Sequence, residues 1–224
     1  MSEHVRIAAE DGVLRITLAR PEKKNSLTQP MYTALADALT RAETDASVRV
    51  VLLEAEGDAF TAGNDLGDFA AVAAGKLDRK AMTTVQFLDA LAHARKPLVA
   101  AVNGLAVGIG VTMLLHCDLV FVAENAKLST PFVNLALVPE AASSLLLPAR
   151  IGHARAFAMF ALGEPIDGRT AANIGLANAA LPAHEVAPVI FDGQTKARHS
   201  SLEPMGMTKP RSNSSGRIGA RPAR

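Results

Sequence analysis

Glu140 is an isolated carboxylate in an otherwise uncharged stretch of the chain. The segment from Ser129 to Arg150 reads STPFVNLALVPEAASSLLLPAR and contains no other acidic residue. A carboxylate withdrawn from water has a raised pKa, which suits a base that takes and returns a proton near neutral pH. A structural role fits equally well, because Pro139 at the first helical position with an acid after it is typical of a helix start. From these residues alone both interpretations stay open.

Two glycine turns could supply backbone amides to a negatively charged oxygen. One is AFTAGNDLGDF, centred on Gly63, and the other is NGLAVGIGVTM, with Gly104, Gly108 and Gly110. Glycine allows positive φ and close approach of another group, and the amides that open a helix have no partner inside it. Brought together, two such amides would form an oxyanion hole. Each pattern alone is more simply explained by tight turns and close packing, because short glycine patterns often match by chance.

A basic loop, RPEKKNSLTQP, precedes the first predicted helix. Arg20, Lys23 and Lys24 cluster there, and they could hold a phosphate-bearing ligand. A solvated charged loop is the simpler interpretation from sequence alone. Dinucleotide and P-loop binding are not indicated, because Met113 stands where the third glycine of Gly-x-Gly-x-x-Gly would be and no Walker A lysine motif occurs.

The order of predicted strands and helices indicates an α/β layered domain with partly parallel sheets. HVRIAA and VLRITLAR alternate apolar and polar residues around Asp11-Gly12, which predicts a β-hairpin. VRVVLLEAEG, PLVAAVNG and DLVFVAEN predict further strands, which we expect to be buried. Helical spacing or continuous apolarity predicts helices over QPMYTALADALTRAETD, KAMTTVQFLDALAHAR and AVGIGVTMLLHC.

Composition describes an ordinary globular protein and excludes several classes of function. The 224 residues are 49% hydrophobic and 20% charged with a net charge of +1, which gives no field for nucleic acid or an anionic membrane. The single Cys117 excludes an internal disulfide, and the spacing of the histidines does not indicate a metal site. Because MSEHVRIAAEDG lacks the pattern of a signal or transit peptide, we expect a cytoplasmic protein.

The last part of the chain differs from the rest. Between Gly193 and Arg224 there are seven Lys or Arg residues against one acid, Glu203, in a background of Ser, Gly and Pro. This composition is typical of a disordered basic tail. We therefore expect a folded core over residues 1–192 and a tail over residues 193–224.

Taken together, five stretches resemble the crotonase superfamily, the enoyl-CoA hydratase/isomerase family. They run in family order from about Ile16 to Pro182, and the ordered set is far more specific than any one of them. The stretches are RPEKKNSLTQPMYTAL, AFTAGNDLGDF, KPLVAAVNGLAVGIGVTMLLHCDLVFVAENAKLSTPF, LVPEAASSLLLPARIGHARA and GEPIDGRTAANIGLANAALP.

The resemblance implies a spiral of repeated β-β-α units, assembly as a homotrimer or hexamer, and acyl-CoA thioesters as substrates. The coenzyme A would be part of the substrate, with no separate cofactor. Carried over by position, the amides of Asn64 and Ile109 would hold the enolate oxygen. The remaining implied substrate-binding residues are Lys23 and Lys24 near the CoA phosphates, Ala62, Gly63, Asp65 and Leu66 against the pantetheine and thioester, and Gly108 and Phe132.

Within the family, the motifs resemble the peroxisomal-type Δ3,Δ2-enoyl-CoA isomerases. GNDL, AVGIGVT, TPF and PEAASS all match that group, in which the catalytic carboxylate lies at the position of Glu140. Two-glutamate hydratases carry acids at the positions that Thr112 and Phe132 occupy here, which argues against their mechanism. The resemblance therefore favours Glu140 as the single base of an isomerase, held at a helix start.

Two alternatives stay open. One is a hydratase, or another enzyme of the family, with an unusual acid–base set. The other is a non-catalytic acyl-CoA binder, since FDGQTKARHSSLEPMGMTKPRSN departs from the family's usual closing helices.

Overall fold

A β-hairpin opens the fold. In the computed structural model of the chain, which describes residues 2–68, 74 and 82–186, β1 (Val5–Glu10) and β2 (Val13–Leu18) pair antiparallel. The turn residues Asp11 and Gly12 have φ of 51° and 84°. Two consecutive left-handed residues give the turn whose twist matches that of the flanking strands. The predicted hairpin is confirmed.

The larger sheet has six strands in the order β1-β2-β3-β5-β7-β10. Apart from the hairpin, all neighbouring strands in it are parallel. The central strand β5 is buried at every residue, as its uninterrupted apolar sequence predicts. The strands added to the hairpin are β3 (Val50–Ala55), β5 (Leu98–Val102), β7 (Leu119–Ala123) and β10 (Ala179–Leu181).

A smaller sheet of four short strands lies beside it, in the order β4-β6-β8-β9. Its strands are β4 (Ala59–Thr61), β6 (Leu105–Val107), β8 (Lys127–Ser129) and β9 (Ile166–Asp167). The pairs β3/β4, β5/β6 and β7/β8 each place their first strand in the large sheet and their second in the small one. This repetition is the spiral of β-β-α units that the resemblance implies.

The helices pack around these sheets. The predicted long helix is present as α1 (Gln29–Thr44), and the predicted helix before β5 is present as α2 (Thr84–His93), although the first residues of that prediction lie outside the described residues. The two helices meet through the rings of Tyr32 and Phe87, whose centroids are 5.6 Å apart. The others are α3 (Ile109–Thr112), continued by a 3-10 turn over Met113–His116, then α4 (Ser143–Ile151), α5 (His153–Leu162) and α6 (Gly168–Asn173).

One predicted helix start is wrong. Helix α4 begins at Ser143, so neither Pro139 nor Glu140 is in its first turn. The reason lies in the two residues between, because Ala141 and Ala142 have φ of 54° and 53° and a left-handed pair cannot continue a right-handed helix. The predicted tail, residues 193–224, lies outside the described residues, and its disorder stays a prediction.

Candidate active site

The two glycine turns lie side by side at the carboxyl ends of neighbouring strands. Strands β4 and β6 are parallel, so the turns that follow them leave the same edge of the small sheet. They touch closely, since a Cβ added at Gly63 would lie 2.9 Å from the Val107 carbonyl oxygen. A Cβ added at Gly110 would lie 2.7 Å from Cγ2 of Thr61. Glycine is therefore required at both places for the two turns to meet.

The amide of Asn64 is directed towards the second turn. Leu27 donates its N–H to the Gly63 carbonyl (2.8 Å) and accepts from the Asp65 N–H (3.0 Å), as in a parallel ladder. In such a ladder the intervening residue points its own N–H to the opposite side. For Asn64 that side is the one on which β6 pairs with β4.

The amide of Ile109 opens helix α3. The residue before it, Gly108, has φ 55° and ψ −113°, a conformation that only glycine adopts readily. The Gly108 carbonyl accepts the N–H groups of Val111 (2.9 Å) and Thr112 (3.0 Å), which leaves the Ile109 N–H without a partner inside the helix. In the described ranges no backbone carbonyl accepts the Ile109 or the Asn64 amide. The arrangement can hold one negatively charged oxygen between two backbone donors.

Glu140 is joined to the same helix. Its Oε1 accepts a hydrogen bond of 2.8 Å from the Thr112 hydroxyl, and Thr112 lies on α3 about 4.5 Å along the axis from Ile109. The Thr112 side chain is fully buried, whereas Glu140 is half-buried. Burial raises the pKa of the Glu140 carboxyl above its ordinary value, and the Thr112 hydrogen bond opposes that rise. Glu140 is thus a poorly solvated carboxylate with one oxygen anchored.

The loop that carries Glu140 is held by its backbone rather than by a helix start. The Glu140 carbonyl accepts the N–H of Ser143 (2.9 Å). His116, at the end of the 3-10 turn after α3, places Nε2 3.0 Å from the Ala141 carbonyl oxygen. Helix α3 and its extension therefore contact the loop at two points, Thr112 and His116.

Arg20 and Asp65 tie the first turn to the end of β2. The Arg20 Nη1 is 2.6 Å from Asp65 Oδ2, and both side chains are largely shielded from solvent. Asp65 also accepts the N–H of Gly67 (2.9 Å) and the Ser26 hydroxyl (3.2 Å). The Arg20 hydrogen bond, with the Gly67 and Ser26 bonds, lowers the pKa of Asp65 despite partial burial. Arg20, expected beside a phosphate, is instead engaged with this carboxylate.

The two lysines of the basic loop differ in their partners. Lys24 Nζ is 2.5 Å from Asp58 Oδ2, and both groups are exposed. Lys23 is exposed and, within the part of the chain that the structure describes, is not in an ion pair. Of the two, Lys23 is the freer to meet a phosphate.

The other predicted substrate-binding residues are divided between surface and interior. Leu66 follows the first turn and is 72% exposed, as a residue that contacts a ligand in the open site would be. Ala62 donates its N–H to the Lys24 carbonyl (2.8 Å), which binds the turn to the basic loop. Phe132 is buried and packs on Phe160 with ring centroids 5.9 Å apart, and its carbonyl accepts the N–H of Leu137 (2.8 Å).

Tyr32 is a residue of this site that the sequence analysis does not single out. Its hydroxyl donates a hydrogen bond to Oδ1 of Asn64. The available signal was that it is the only tyrosine in a chain without tryptophan.

Other regions of the described chain show fewer features of a functional site. A groove of about 260 Å³ lies between the hairpin and the far end of α1 and contains none of the predicted site residues. Within residues 2–68, 74 and 82–186, no cluster of three or more His, Cys, Asp or Glu side chains could hold a metal ion. None of the described helices is both long and apolar enough to cross a membrane.

The chain belongs to the enoyl-CoA hydratase/isomerase family, whose sequence model matches residues 8–200. It is 38% identical over 184 residues to enoyl-CoA delta isomerase 2 of Rattus norvegicus, covering 81% of this chain and 47% of the relative. It is 34% identical over 221 residues to 1,2-epoxyphenylacetyl-CoA isomerase of Escherichia coli K12, covering 96% of this chain and 83% of that one. An enoyl-CoA hydratase of Alternaria alternata is 39% identical over 153 residues, covering 68% and 52%.

Solved structures agree with the family assignment. OdaA of Pseudomonas aeruginosa is 47% identical with a TM-score of 0.79, covering 91% of this chain and 81% of that one. An enoyl-CoA hydratase/isomerase of Pseudoalteromonas atlantica is 40% identical with a TM-score of 0.81, covering 90% and 78%. The crotonase-type fold is therefore shown. The chain spans about half the length of the delta isomerases it matches, 47% of the rat protein and 58% of a peroxisomal one from Mus musculus.

Proposed function

We propose that this chain is a Δ3,Δ2-enoyl-CoA isomerase acting on acyl-CoA thioesters in fatty-acid-type metabolism. The observation that carries the proposal is the hydrogen bond from Thr112 to Glu140, which fixes a single poorly solvated carboxylate to the helix that begins at Ile109. An isomerase needs only one base, which removes a proton from the α-carbon and returns a proton to the γ-carbon. A hydratase needs one group to activate water and a second to deliver a proton.

The reaction would follow from the positions of three groups. The thioester oxygen of a 3-enoyl-CoA binds between the amides of Asn64 and Ile109. Glu140 takes a proton from the α-carbon, and the electron pair moves onto the thioester oxygen to give an enolate that the two amides stabilise. Glu140 then returns the proton to the γ-carbon, the double bond shifts to the 2,3 position, and no atoms are gained or lost.

The free oxygen of Glu140 is the better placed to carry the proton. Oε1 is already bound by Thr112, whereas no hydrogen bond to Oε2 is present among the described residues. Burial raises the carboxyl pKa, which brings it closer to the pKa of the weakly acidic α-carbon and makes removal of the α-proton less uphill. The coenzyme A is part of the substrate, and the proposed reaction requires no other cofactor or metal.

The remaining predicted residues would bind the substrate. We place the thioester and pantetheine along Ala62–Leu66, with Gly108 opposite and Phe132 supporting the acyl site from the interior. The CoA phosphates would approach Lys23 and, less closely, Lys24.

The proposal is tested by offering the protein two substrates. Purified protein is incubated with 3-hexenoyl-CoA and, separately, with crotonyl-CoA, and the products are separated by chromatography and weighed by mass spectrometry. The isomerase proposal expects a product of unchanged mass from 3-hexenoyl-CoA and no water addition to crotonyl-CoA. Addition of water to crotonyl-CoA at a higher rate than isomerisation of 3-hexenoyl-CoA would establish the hydratase alternative. Tight CoA binding without turnover of either substrate would establish the non-catalytic one.

We also propose assembly as a homotrimer or hexamer. The support is a set of large apolar side chains that lie exposed on the part of the chain around α4 and α5, and these must be covered if they are not to face water. Light scattering after size-exclusion chromatography tests the assembly, and a monomer at all concentrations would contradict it. The exposed residues are Val133, Leu135, Val138, Leu145, Phe157 and Leu162.

The cytoplasmic location stays a prediction from sequence.

A further inference from the structure

Tyr32 lies at the junction of the two halves of the candidate site. It is on the second turn of α1, and its side chain is completely buried. Its hydroxyl donates a hydrogen bond to the side-chain oxygen of Asn64, the residue whose backbone amide is directed towards the second turn. Its ring packs on Phe87 of α2, with ring centroids 5.6 Å apart.

The phenol is also within electrostatic reach of the base. Burial raises its pKa well above the ordinary value, and the negative charges of Glu140 and then Asp68 raise it further. A tyrosine in this setting stays neutral and acts as a hydrogen-bond donor at any pH at which the protein works.

Asn64 needs such an anchor because little else holds its side chain. The backbone around it is fixed on one side only, by the ladder bonds of Gly63 and Asp65 to Leu27. The other side, where the Asn64 N–H points, faces the second glycine turn, where we propose that the enolate oxygen binds. A hydrogen bond to the Asn64 side chain limits rotation of this peptide unit without occupying the N–H.

We propose that Tyr32 is a positioning residue of the oxyanion hole: through its hydrogen bond to Asn64 it holds the amide of that residue in the direction that the enolate oxygen requires. This inference rests on the proposed function. Tyr32 is too deeply buried to touch the substrate, so its contribution acts through Asn64. A donor misaligned by a small angle loses much of its effect on the transition state while binding of the remote CoA portion is unchanged.

The test replaces the hydroxyl alone. Tyr32→Phe keeps the ring and its packing, and we expect kcat for 3-hexenoyl-CoA to fall about tenfold with KM nearly unchanged, the value of one hydrogen bond to a positioned group. Phe87→Leu is the matched control, because it disturbs the same packing and keeps the hydroxyl. We expect it to lower the melting temperature and leave kcat within about twofold of wild type.

A second readout does not depend on turnover. Acetoacetyl-CoA forms an enolate that resembles the proposed intermediate, and its binding is followed by its ultraviolet absorbance. We expect Tyr32→Phe to weaken binding of this enolate about tenfold and to leave binding of free CoA unchanged. If the wild-type protein fails to isomerise 3-hexenoyl-CoA, the proposed function fails, and this comparison still decides the role of Tyr32.

The composition of the chain provides a third readout. Tyr32 is the only tyrosine and there is no tryptophan, so the near-ultraviolet absorbance reports this phenol alone. We expect Glu140→Gln to lower the phenol pKa, because it removes a neighbouring negative charge, and Asp89→Asn, at an exposed carboxylate on α2, to leave it unchanged. Wild-type kcat and enolate affinity in Tyr32→Phe would overturn the proposal. So would a wild-type protein that binds no enolate.

Discussion

The two proposed amide donors and the proposed base are held in very different ways. Asn64 and Ile109 follow adjacent parallel strands of the small sheet, where ladder hydrogen bonds and glycines that allow close contact hold the backbone. For Asn64 we propose that the Tyr32 hydroxyl adds to this restraint. Glu140 belongs to no helix or strand. It lies on a loop with left-handed residues at Ala136, Ala141 and Ala142, and a hydroxyl and an imidazole connect it to α3.

This difference separates what the fold dictates from what individual side chains dictate. Backbone donors at strand ends are present in any sequence that forms the sheet and keeps the glycines. A carboxylate on a loop depends on a few contacts that a small number of substitutions could replace. We therefore expect changes at the turns to abolish stabilisation of the enolate, and changes near Glu140 to alter its pKa and its position.

Among changes that leave Glu140 itself in place, the largest effect is expected from blocking the first turn. Gly63 has φ of 92° and no room for a Cβ beside the Val107 carbonyl, so Gly63→Ala must move the turn that carries the Asn64 amide. We expect kcat to fall about 100- to 1,000-fold, the effect of losing one oxyanion donor. Gly152→Ala is the control, since Gly152 has φ of 86° with open space around it. If both variants keep full activity, the donors are not where the account places them.

A smaller effect on stability is expected where the first turn is tied to β2. Asp65→Asn removes the partner of Arg20 in a largely shielded pair and should lower the free energy of unfolding by about 2 kcal/mol at pH 7. Because the folded pKa of Asp65 is depressed, this contribution is present above the unfolded pKa and is lost as pH falls through the folded pKa. Urea unfolding across that acidic range checks the prediction. A difference between variant and wild type that persists at the lowest pH would contradict it.

A further effect, on the pH dependence of activity, is expected from removing the Thr112 hydroxyl that holds the Glu140 carboxylate. Thr112→Val removes the one hydrogen bond that lowers the pKa of Glu140, so that pKa should rise further. Activity requires the deprotonated carboxylate, and the acidic limb of the kcat/KM profile should therefore move to higher pH. Thr130→Val is the matched change at another buried threonine, whose hydroxyl donates to the Met159 carbonyl (3.0 Å), and it should leave the limb in place. An unmoved limb in Thr112→Val would separate Glu140 from the rate-limiting proton transfer.

The smallest effects are expected at the basic loop. Lys23→Ala should raise the dissociation constant for CoA about threefold, and this difference should shrink at high salt because the contact is exposed. Lys24→Ala should change it less, since Lys24 already pairs with Asp58, and stability should stay within about 0.5 kcal/mol. Isothermal titration at two salt concentrations measures both. Equal effects in the two variants would show that the Asp58 pair opens when the ligand binds.

Most of the architecture follows from local pattern. The hairpin around Asp11-Gly12, helix α1 and the strands of the large sheet were predictable because each has a periodicity or turn chemistry of its own. The small sheet was not, since strands of two or three residues such as β4 and β6 have too few residues to show alternation. Their pairing is set by contacts between distant parts of the chain, which a single segment cannot reveal.

The same distinction between local pattern and long-range contacts applies to the candidate site. The glycines indicated where backbone amides would be free, and the resemblance to the family assigned Glu140 its role. The helix start predicted at Pro139 was wrong, because nothing in the types of Ala141 and Ala142 predicts left-handed backbone there. Thr112 and Tyr32 could not be identified as partners of Glu140 and Asn64, since they lie 28 and 32 residues away along the chain.

The central claim is that one carboxylate moves the proton, and Glu140→Gln tests it most directly. Turnover of 3-hexenoyl-CoA is compared between wild type, Glu140→Gln and Glu54→Gln, the last being a shielded carboxylate on β3 that pairs with Arg15. We predict that kcat falls about 1,000-fold in Glu140→Gln, roughly 4 kcal/mol of transition-state stabilisation, while enolate binding persists and Glu54→Gln stays near wild type. Activity that survives in Glu140→Gln would contradict the account and return this residue to a purely structural role.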